Sequence, residues 1–152
     1  MKLTRKKLNK FLMFKLPSAY LCGVRLSNLL NNSATVTVRH RWINQNPFKS
    51  MYFAVQSMAA ELSTGALVIA KIMESNQKIS MLVTNHQGSF SKKATGKITF
   101  TCEDGHLIDA AIEKTIETGE GQTFVMHSLG KNEQNETVST YQFEWSIKLK
   151  SK

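Results

Sequence analysis

One apolar stretch, residues 52–73, constrains the fold of this chain more than any other feature. It reads YFAVQSMAAELSTGALVIAKIM, and its charged residues are Glu61 and Lys71. Its composition predicts a helix with large apolar side chains on most faces, and such a helix must be covered on every side. Strand-like patterns follow it in the chain and would supply that cover. We therefore predict an α+β fold in which an antiparallel sheet wraps around one long central helix.

The rest of the chain is expected to form one domain with this helix, residues 1–152. Residues 1–33 are expected to be an N-terminal helical segment. Within it, residues 4–14 predict a helix that Thr4 caps and that places leucines on one face. Residues 18–30 predict a second short helix.

Residues 34–149 are expected to hold the sheet and the central helix. The alternation over residues 34–43 predicts a strand that turns four side chains to one side, Val36, Val38, His40 and Trp42. Further patterns predict strands over 78–96, 97–104, 122–130 and 137–150. They also predict an amphipathic helix that begins at residue 106 and ends near Gly119 or Gly121.

The net charge of +9 is distributed unevenly along the chain. Residues 1–60 contain ten Lys or Arg and no acid, whereas residues 61–152 contain ten Lys or Arg and eleven acids. Such a one-sided basic field favours a polyanionic partner: nucleic acid, an anionic membrane or a phosphorylated ligand. A solvated basic face with no partner explains the charge equally well. The sequence carries no signature of a specific nucleic-acid reader, so we expect no specific nucleic acid as partner.

The N-terminus and the cysteines favour a cytoplasmic protein. The first 22 residues have a basic flank, but Lys15 and Pro17 interrupt the apolar segment that a cleaved signal needs. Cys22 and Cys102 lie far apart without metal-ligand spacing, so we expect reduced thiols. We expect no transmembrane segment and no metal site, because the four histidines are scattered.

Glu61 is the first acidic residue of the chain, and it lies in the middle of the apolar helix. On its own helical face it is surrounded mainly by small residues, including Ser57, Thr64 and Gly65. One interpretation pairs its carboxylate with Arg39 or Arg41, or brings it to solvent. The other leaves it desolvated in a narrow slot, where a raised pKa would suit a general base or a nucleophile.

The stretch NPFKSMYFAVQSMAAELSTG, residues 46–65, resembles the central-helix motif of hot-dog-fold acyl-CoA thioesterases of the phenylacetate-pathway type. That motif has Asn, then His-Gly-Gly, then Asp or Glu. Asn46 and Glu61 stand at the matching spacings, Tyr52 stands at the His position, and Phe53 and Ala54 replace the glycines. The stretches GVRLSNLL and KKATGKITF are similar to a less characterised thioesterase-like branch of the same superfamily.

The resemblance implies a homodimer, or a dimer of dimers, with active sites at the subunit interface. Glu61 would activate water or attack the thioester, and Asn46 would orient the water or the carboxylate. The backbone N–H groups near Phe53 and Ala54 would hold the oxyanion. Side chains expected to contact the substrate are Tyr52, Phe53, Ala54, Ser57, Thr64, Lys92 and Lys93, with the two lysines on the phosphates of coenzyme A.

The implied function is hydrolysis of an acyl-CoA or acyl-carrier thioester, with no cofactor beyond the coenzyme A of the substrate. Two alternatives stay open. The first is a non-catalytic hot-dog protein that binds an acyl thioester or lipid. The second is a nucleic-acid or anionic-membrane binder that uses the basic half of the chain, whose affinity would fall steeply with salt. A dehydratase of the same fold is disfavoured, because the sequence places no His to work with Glu61.

Overall fold

The computed structural model describes residues 3–151, so residues 1, 2 and 152 of the predicted domain and N-terminal segment lie outside the described residues. The helices are α1 (Arg5–Lys15), α2 (Pro17–Leu21), α3 (Phe53–Glu74) and α4 (His106–Thr118), with a 3-10 turn at Trp42–Asn44. The strands are β1 (Arg25–Leu29), β2 (Ala34–Arg39), β3 (Ile79–Phe90), β4 (Lys97–Cys102), β5 (Gln122–Lys131) and β6 (Thr137–Leu149).

The six strands form one antiparallel sheet in the order β1-β2-β4-β5-β6-β3. The long helix α3 packs against the sheet, and its small side chains allow a close approach, since Ala59, Ala60 and Ala66 have no exposed surface. Phe100 on β4 and Trp145 on β6 are among the large side chains of the shared core. This arrangement confirms the predicted α+β fold with a sheet around a central helix.

The polar residues on the buried side of α3 are paired with the sheet or with α4. The Ser63 and Ser128 hydroxyls lie 2.7 Å apart, and Ser139 Oγ donates to Gln56 Oε1 at 2.8 Å. The buried Lys71 Nζ donates to Asp109 Oδ2 on α4 at 2.6 Å. These bonds remove the desolvation cost that an unpaired polar group would impose.

Among the described residues, α3 is the one helix long and apolar enough to cross a membrane by length and composition. The sequence led us to expect no such segment. However, 67% of its most apolar 18-residue stretch is buried inside the fold. A helix buried in a protein core can have the same length and apolar composition as a membrane-spanning helix, because both environments favour apolar side chains.

The helix predicted over residues 18–30 is wrong in its second half. Helix α2 ends at Leu21, and Gly23 follows with a φ of +89°, a left-handed conformation that glycine adopts without strain. The chain then forms β1, whose residues pair with β2. Pairing across the sheet satisfies the backbone groups of residues 25–29, a long-range effect that local periodicity does not register.

The strand predicted over residues 34–43 is correct as far as Arg39 and wrong beyond it. Val36 and Val38 are buried as expected, but Trp42 lies in the 3-10 turn with 83% of its surface exposed. Asn44 causes the change of direction: its side chain accepts from Arg41 N at 2.8 Å and donates to Arg39 O at 2.9 Å. These bonds close a turn where the alternating pattern alone predicts a continued strand.

The remaining predicted elements agree with the structure within a few residues. Thr4 caps α1 by accepting from Lys7 N at 3.3 Å, and Gly119 ends α4 with a φ of +72°. The strand predicted over 78–96 is shorter in the structure, where β3 ends at Phe90. Because β3 pairs with β6 alone, it forms an open edge of the sheet beside α3.

Candidate active site

The carboxyl group of Glu61 lies over Gly65, one helical turn further along α3. Its Oε1 atom is 3.0 Å from the position that a Cβ atom on Gly65 would occupy, and the Trp145 ring is 3.2 Å from the same point. Glu61 is partly buried, and no described residue forms a hydrogen bond or ion pair with its carboxyl group. Burial raises the pKa of Glu61 to about 7.

Neither arginine considered as a partner for Glu61 reaches it. Arg39 forms an ion pair with Glu133 at 3.3 Å. Arg41 precedes the 3-10 turn and is exposed. With no cation to stabilise its charged form, the Glu61 carboxyl group can take up and release a proton close to neutral pH.

A chain of two hydrogen bonds connects Trp145 through Thr64 to the backbone of Glu61. Trp145 Nε1 donates to Thr64 Oγ1 at 2.9 Å, and Thr64 Oγ1 donates to the backbone carbonyl of Glu61 at 2.8 Å. Thr64 has no exposed surface. The structure thus places Thr64, predicted as a substrate contact, where it orients the indole ring and the helix.

Ser57 lies one turn before Glu61 on the same side of α3. Its Oγ atom is 3.1 Å from both Phe53 O and the hydroxyl oxygen of Tyr141. Burial raises the pKa of Tyr141, with the Ser57 hydrogen bond opposing this effect, so its hydroxyl stays protonated. Ser57 and Tyr141 together place two neutral hydroxyls in the slot beside α3.

The inward face of edge strand β3 carries residues that the sequence did not single out. His86, Gly88 and Phe90 pair with Phe143, Tyr141 and Ser139 of β6 and therefore face the same side of the sheet. The His86 ring stacks on Phe143 with centroids 5.9 Å apart. Alternation along residues 86–90 could have indicated this face, but it identifies neither the pairing nor the neighbour of each side chain.

At its N-terminus, α3 presents free backbone donors. Tyr52 is the N-cap and makes no side-chain capping bond, and the first turn contains no acidic residue. Val55 N is bonded to Tyr52 O, while the N–H groups of Phe53 and Ala54 have no partner among the described residues. Such groups at the positive end of a helix can stabilise a developing negative charge.

The Phe53 ring does not enter the core. It is 55% exposed and makes edge contacts with Tyr52 and Phe90, whose ring centroids are 5.0 and 6.2 Å away. Its backbone N–H therefore stays available. The ring forms part of the wall at the entrance to the slot.

Five of the predicted site residues line one cleft of about 530 Å³ at this end of α3: Asn46, Tyr52, Phe53, Lys92 and Lys93. Gln56 and Phe90 also line it. The two lysines differ in their partners. Lys92 forms an ion pair with Glu136, whereas Lys93 Nζ donates to the carbonyl of Phe48 at 3.3 Å and forms no ion pair with a described residue.

Asn46 forms no hydrogen bond with Glu61 among the described residues. Its amide accepts from Phe48 N at 2.9 Å and from Ser50 N at 3.3 Å, and donates to Ser50 Oγ at 3.0 Å and Met51 O at 3.3 Å. All its bonds therefore stay within the loop before α3. Asn46 shapes the entrance to the helix, and the structure does not bring it to the carboxylate.

A larger concavity, of about 740 Å³, lies on the opposite face of the sheet and contains none of the predicted site residues. Polar strand residues line it, with His127 Nδ1 located 3.0 Å from Asp104 Oδ2. Within residues 3–151, no group of three or more His, Cys, Asp or Glu side chains could hold a metal ion.

Comparison with known proteins gives a family and a fold. Residues 4–147 match the family described as Domain of unknown function (DUF4442). No curated protein sequence matches the chain. A protein of unknown function from Pseudomonas aeruginosa, named a probable thioesterase, superposes with a TM-score of 0.83 at 21% identity over 99% of both chains.

Two other solved structures are similar along nearly their whole length. A protein of unknown function from Chlorobaculum tepidum has a TM-score of 0.84 at 15% identity, covering 98% of this chain and 99% of that one. A thioesterase from Haemophilus influenzae has a TM-score of 0.76 at 15% identity, covering 98% and 93%. With the sheet order and the central helix, these likenesses show the hot-dog fold.

Proposed function

We propose that this chain, which belongs to the DUF4442 family, hydrolyses acyl thioesters with Glu61 as the general base or nucleophile. One observation carries the proposal: the partly buried Glu61 carboxyl group has no described partner and lies between Gly65 and the Trp145 ring, where burial raises its pKa to about 7. A base poised near the working pH combines a large deprotonated fraction with useful basicity. The names of the structural neighbours from Pseudomonas aeruginosa and Haemophilus influenzae point to the same reaction class.

In the general-base form of the reaction, the Glu61 carboxylate removes a proton from a water molecule as the water oxygen attacks the thioester carbonyl carbon. The carbonyl oxygen becomes an oxyanion, and backbone N–H groups stabilise it. The C–S bond then breaks, and the leaving thiolate takes the proton back from Glu61. The products are a carboxylic acid and a thiol, and Glu61 returns to its starting state.

We infer that the donors which stabilise that oxyanion come from a second copy of the chain. Phe53 and Glu61 are eight residues apart, which is about 12 Å along the helix axis, and the Glu61 carboxyl group turns toward Gly65, away from the helix start. A donor and a base that act on one carbonyl must each approach it within about 3 Å. If the free N–H groups at Phe53 and Ala54 hold the oxyanion, they belong to the partner subunit.

The open edge strand β3 is the natural place for that partner. It has twelve residues and pairs on one side alone, so its outer backbone groups are free to bond another strand. Joining two copies at this edge would place the slots of both subunits near the interface. We therefore propose a homodimer as the active form.

The cleft at the start of α3 is the proposed binding site for the carrier part of the substrate. Coenzyme A and acyl carrier protein both present phosphate groups, and a lysine without an ion-pair partner is suited to them. Lys93 meets this condition, whereas the charge of Lys92 is already balanced by Glu136. The acyl chain would then run beside the aromatic side chains Phe90, Tyr141 and Phe143.

The decisive experiment is thiol release from short-chain, long-chain and aryl acyl-CoA esters, with wild type and Glu61→Gln compared directly. Glu74→Gln is the matched control, because Glu74 lies exposed at the end of the same helix. We expect release by wild type and by Glu74→Gln, and a loss of at least about 100-fold in Glu61→Gln. Equal rates in all three proteins would exclude a role for Glu61 in turnover.

The bulky Phe53 at the entrance favours one alternative, a protein that binds acyl thioesters without hydrolysing them. A thioether analogue of the substrate, which has no cleavable ester, distinguishes the two functions. Tight binding of the analogue by wild type and Glu61→Gln, with no thiol release from any ester, would favour the binding protein.

A further inference from the structure

A surface on α1 and α2 combines exposed cations with exposed apolar side chains. Phe14 and Leu21 are each 66% exposed, and Leu16 is 40% exposed. Lys6, Lys7 and Lys10 are exposed on α1. We call these six residues the α1–α2 face.

The way α1 packs explains why these side chains point outward. Leu8 and Leu12 are buried under the helix, and Asn9 fixes it to β1 by accepting from Leu26 N and donating to Leu26 O, both at 2.9 Å. The opposite side of the helix therefore faces away from the protein. Residues 6, 7, 10 and 14 share that side by helical spacing.

The charge of this face has no acidic counterpart. No Asp or Glu occurs before Glu61 in the sequence, and the three lysines form no ion pair with any described residue. The resulting positive field attracts a surface that carries many negative charges. Exposed Phe and Leu side chains gain free energy if that surface also has an apolar layer.

The proposed dimer interface and this face lie at opposite edges of the sheet. Strand β1, on which α1 packs, is at one edge of the sheet, and β3 is at the other. Four strands separate them, which corresponds to more than 20 Å at the usual strand spacing. A second copy joined along β3 would therefore bind at the edge of the sheet opposite to the one that carries α1 and α2.

We propose that the α1–α2 face docks on the surface of a bilayer that contains anionic phospholipids. Lys6, Lys7 and Lys10 contact the headgroup phosphates, while Phe14 and Leu21 enter the boundary between headgroups and acyl chains. A nucleic-acid duplex would match the charge but offers no apolar layer to Phe14 and Leu21. The inference stands on α1 and α2 alone and does not depend on the proposed hydrolysis.

The test is co-sedimentation of the full chain with vesicles of phosphatidylcholine and with vesicles of phosphatidylcholine and phosphatidylglycerol in equal parts. We expect binding to the anionic vesicles and much weaker binding to the neutral ones. Replacing Lys6, Lys7 and Lys10 together by Gln should lower the partition coefficient roughly 100-fold, at about fivefold per cation. Replacing Phe14 and Leu21 together by Ser should lower it at least about tenfold.

Ile116→Ser is the matched control, because Ile116 is an exposed apolar residue on α4. It should leave vesicle binding unchanged, and thermal unfolding should be similar for all variants since the replaced side chains are exposed. Equal binding to neutral and anionic vesicles would overturn the proposal. So would full binding by the Phe14/Leu21 variant, which would indicate adsorption by charge alone, or binding to duplex DNA without binding to vesicles.

Discussion

Glu61 Oε1 lies 3.0 Å from the point where a Cβ atom on Gly65 would stand. The carboxyl group can rest over the helix because position 65 has no side chain, and the Trp145 ring closes the space on the other side at 3.2 Å. The absence of one methyl group therefore fixes where the proposed base is held.

Gly65→Ala should reduce turnover while leaving the protein folded. The new methyl group would displace the Glu61 carboxyl group, and an error of about 1 Å in a catalytic group can lower the rate about 100-fold. The free energy of unfolding should change by less than about 1 kcal/mol, because better helix propensity offsets the contact with Trp145. Thiol release and denaturant unfolding measure the two effects, and unchanged turnover would contradict the proposed position of the base.

The rate of hydrolysis should rise with pH and reach half its maximum at about pH 7, the pKa to which burial raises Glu61. The carboxylate is the active form, so activity is lost as the pH falls below this value. A pH profile of kcat/KM for wild type measures the midpoint. A profile with its midpoint near the ordinary glutamate value of 4.5 would contradict the assignment.

The same pKa predicts how stability depends on pH. Folded Glu61 binds its proton more tightly than unfolded Glu61. The stability that the protonated side chain contributes to the fold is therefore fully present below pH 4.5 and is lost as the pH rises to about 7. The loss is at most about 3 kcal/mol, from about 2.5 pKa units. Glu61→Gln should be more stable than wild type above about pH 7 and close to it at acidic pH, as measured by denaturant unfolding. Equal pH dependence in the two proteins would contradict the prediction.

Two inactive variants should restore activity when they are mixed. Phe53→Pro removes one backbone donor but suits the first position of α3, where proline is tolerated and where Tyr52 is already extended. It should lower kcat about 100-fold, while Phe53→Ala, which keeps the N–H group, should lower it much less. Unfolding and refolding Phe53→Pro with Glu61→Gln should yield about a quarter of wild-type activity, because half of the dimers are mixed and each has one complete site.

That experiment also tests the dimer. If one subunit supplied both groups, no mixture of the two variants could contain a complete site. Activity no greater than the sum of the separate variants would therefore contradict a shared site.

Lys93 and Lys92 should differ in their effect on KM for acyl-CoA. Lys93→Gln removes a cation that no described acid balances, so KM should rise about tenfold. Lys92→Gln removes a cation already paired with Glu136, and the change should be less than about threefold. Initial-rate kinetics on both variants decide the matter, and a larger effect for Lys92 would reverse the assignment.

Gly88→Ala should destabilise the fold and disturb the slot. A Cβ atom at position 88 would be 2.7 Å from Tyr141 Cε1, and the Tyr141 ring is buried. Repacking this ring should cost about 1–3 kcal/mol. Gly121→Ala is the control, because a Cβ atom there would meet no atom closer than 3.7 Å. Equal unfolding midpoints for the two variants would contradict the predicted contact.

The elements with strong local patterns could be predicted from the sequence. The apolar run of residues 52–73 predicts α3, since few structures other than a covered helix can bury it. Thr4 and Gly119 act at helix ends through bonds to nearby residues, so their roles are also visible locally. Strand β1 was missed, because its backbone bonds come from β2 rather than from its own neighbours.

The candidate site could be predicted from the sequence only in part. The sequence identified Glu61, because a lone carboxylate in an apolar helix must be either paired or desolvated. It did not show that Arg39 would form an ion pair with Glu133. Nor did it show that the Asn46 side chain would form its hydrogen bonds within its own loop. Those outcomes depend on residues far away in the chain or on loop geometry that composition does not encode.

The sequence by itself thus determined the central helix, the identity of its buried acid and the basic character of the first 60 residues. The tertiary structure decided what surrounds the acid: Gly65 of the same helix and the Trp145 ring of β6. The physical reason is that apolar periodicity fixes which side of an element is buried, while only the strand register fixes which side chains meet there. The desolvation of Glu61, and with it the rise of its pKa, therefore depends on the tertiary contacts around its carboxyl group.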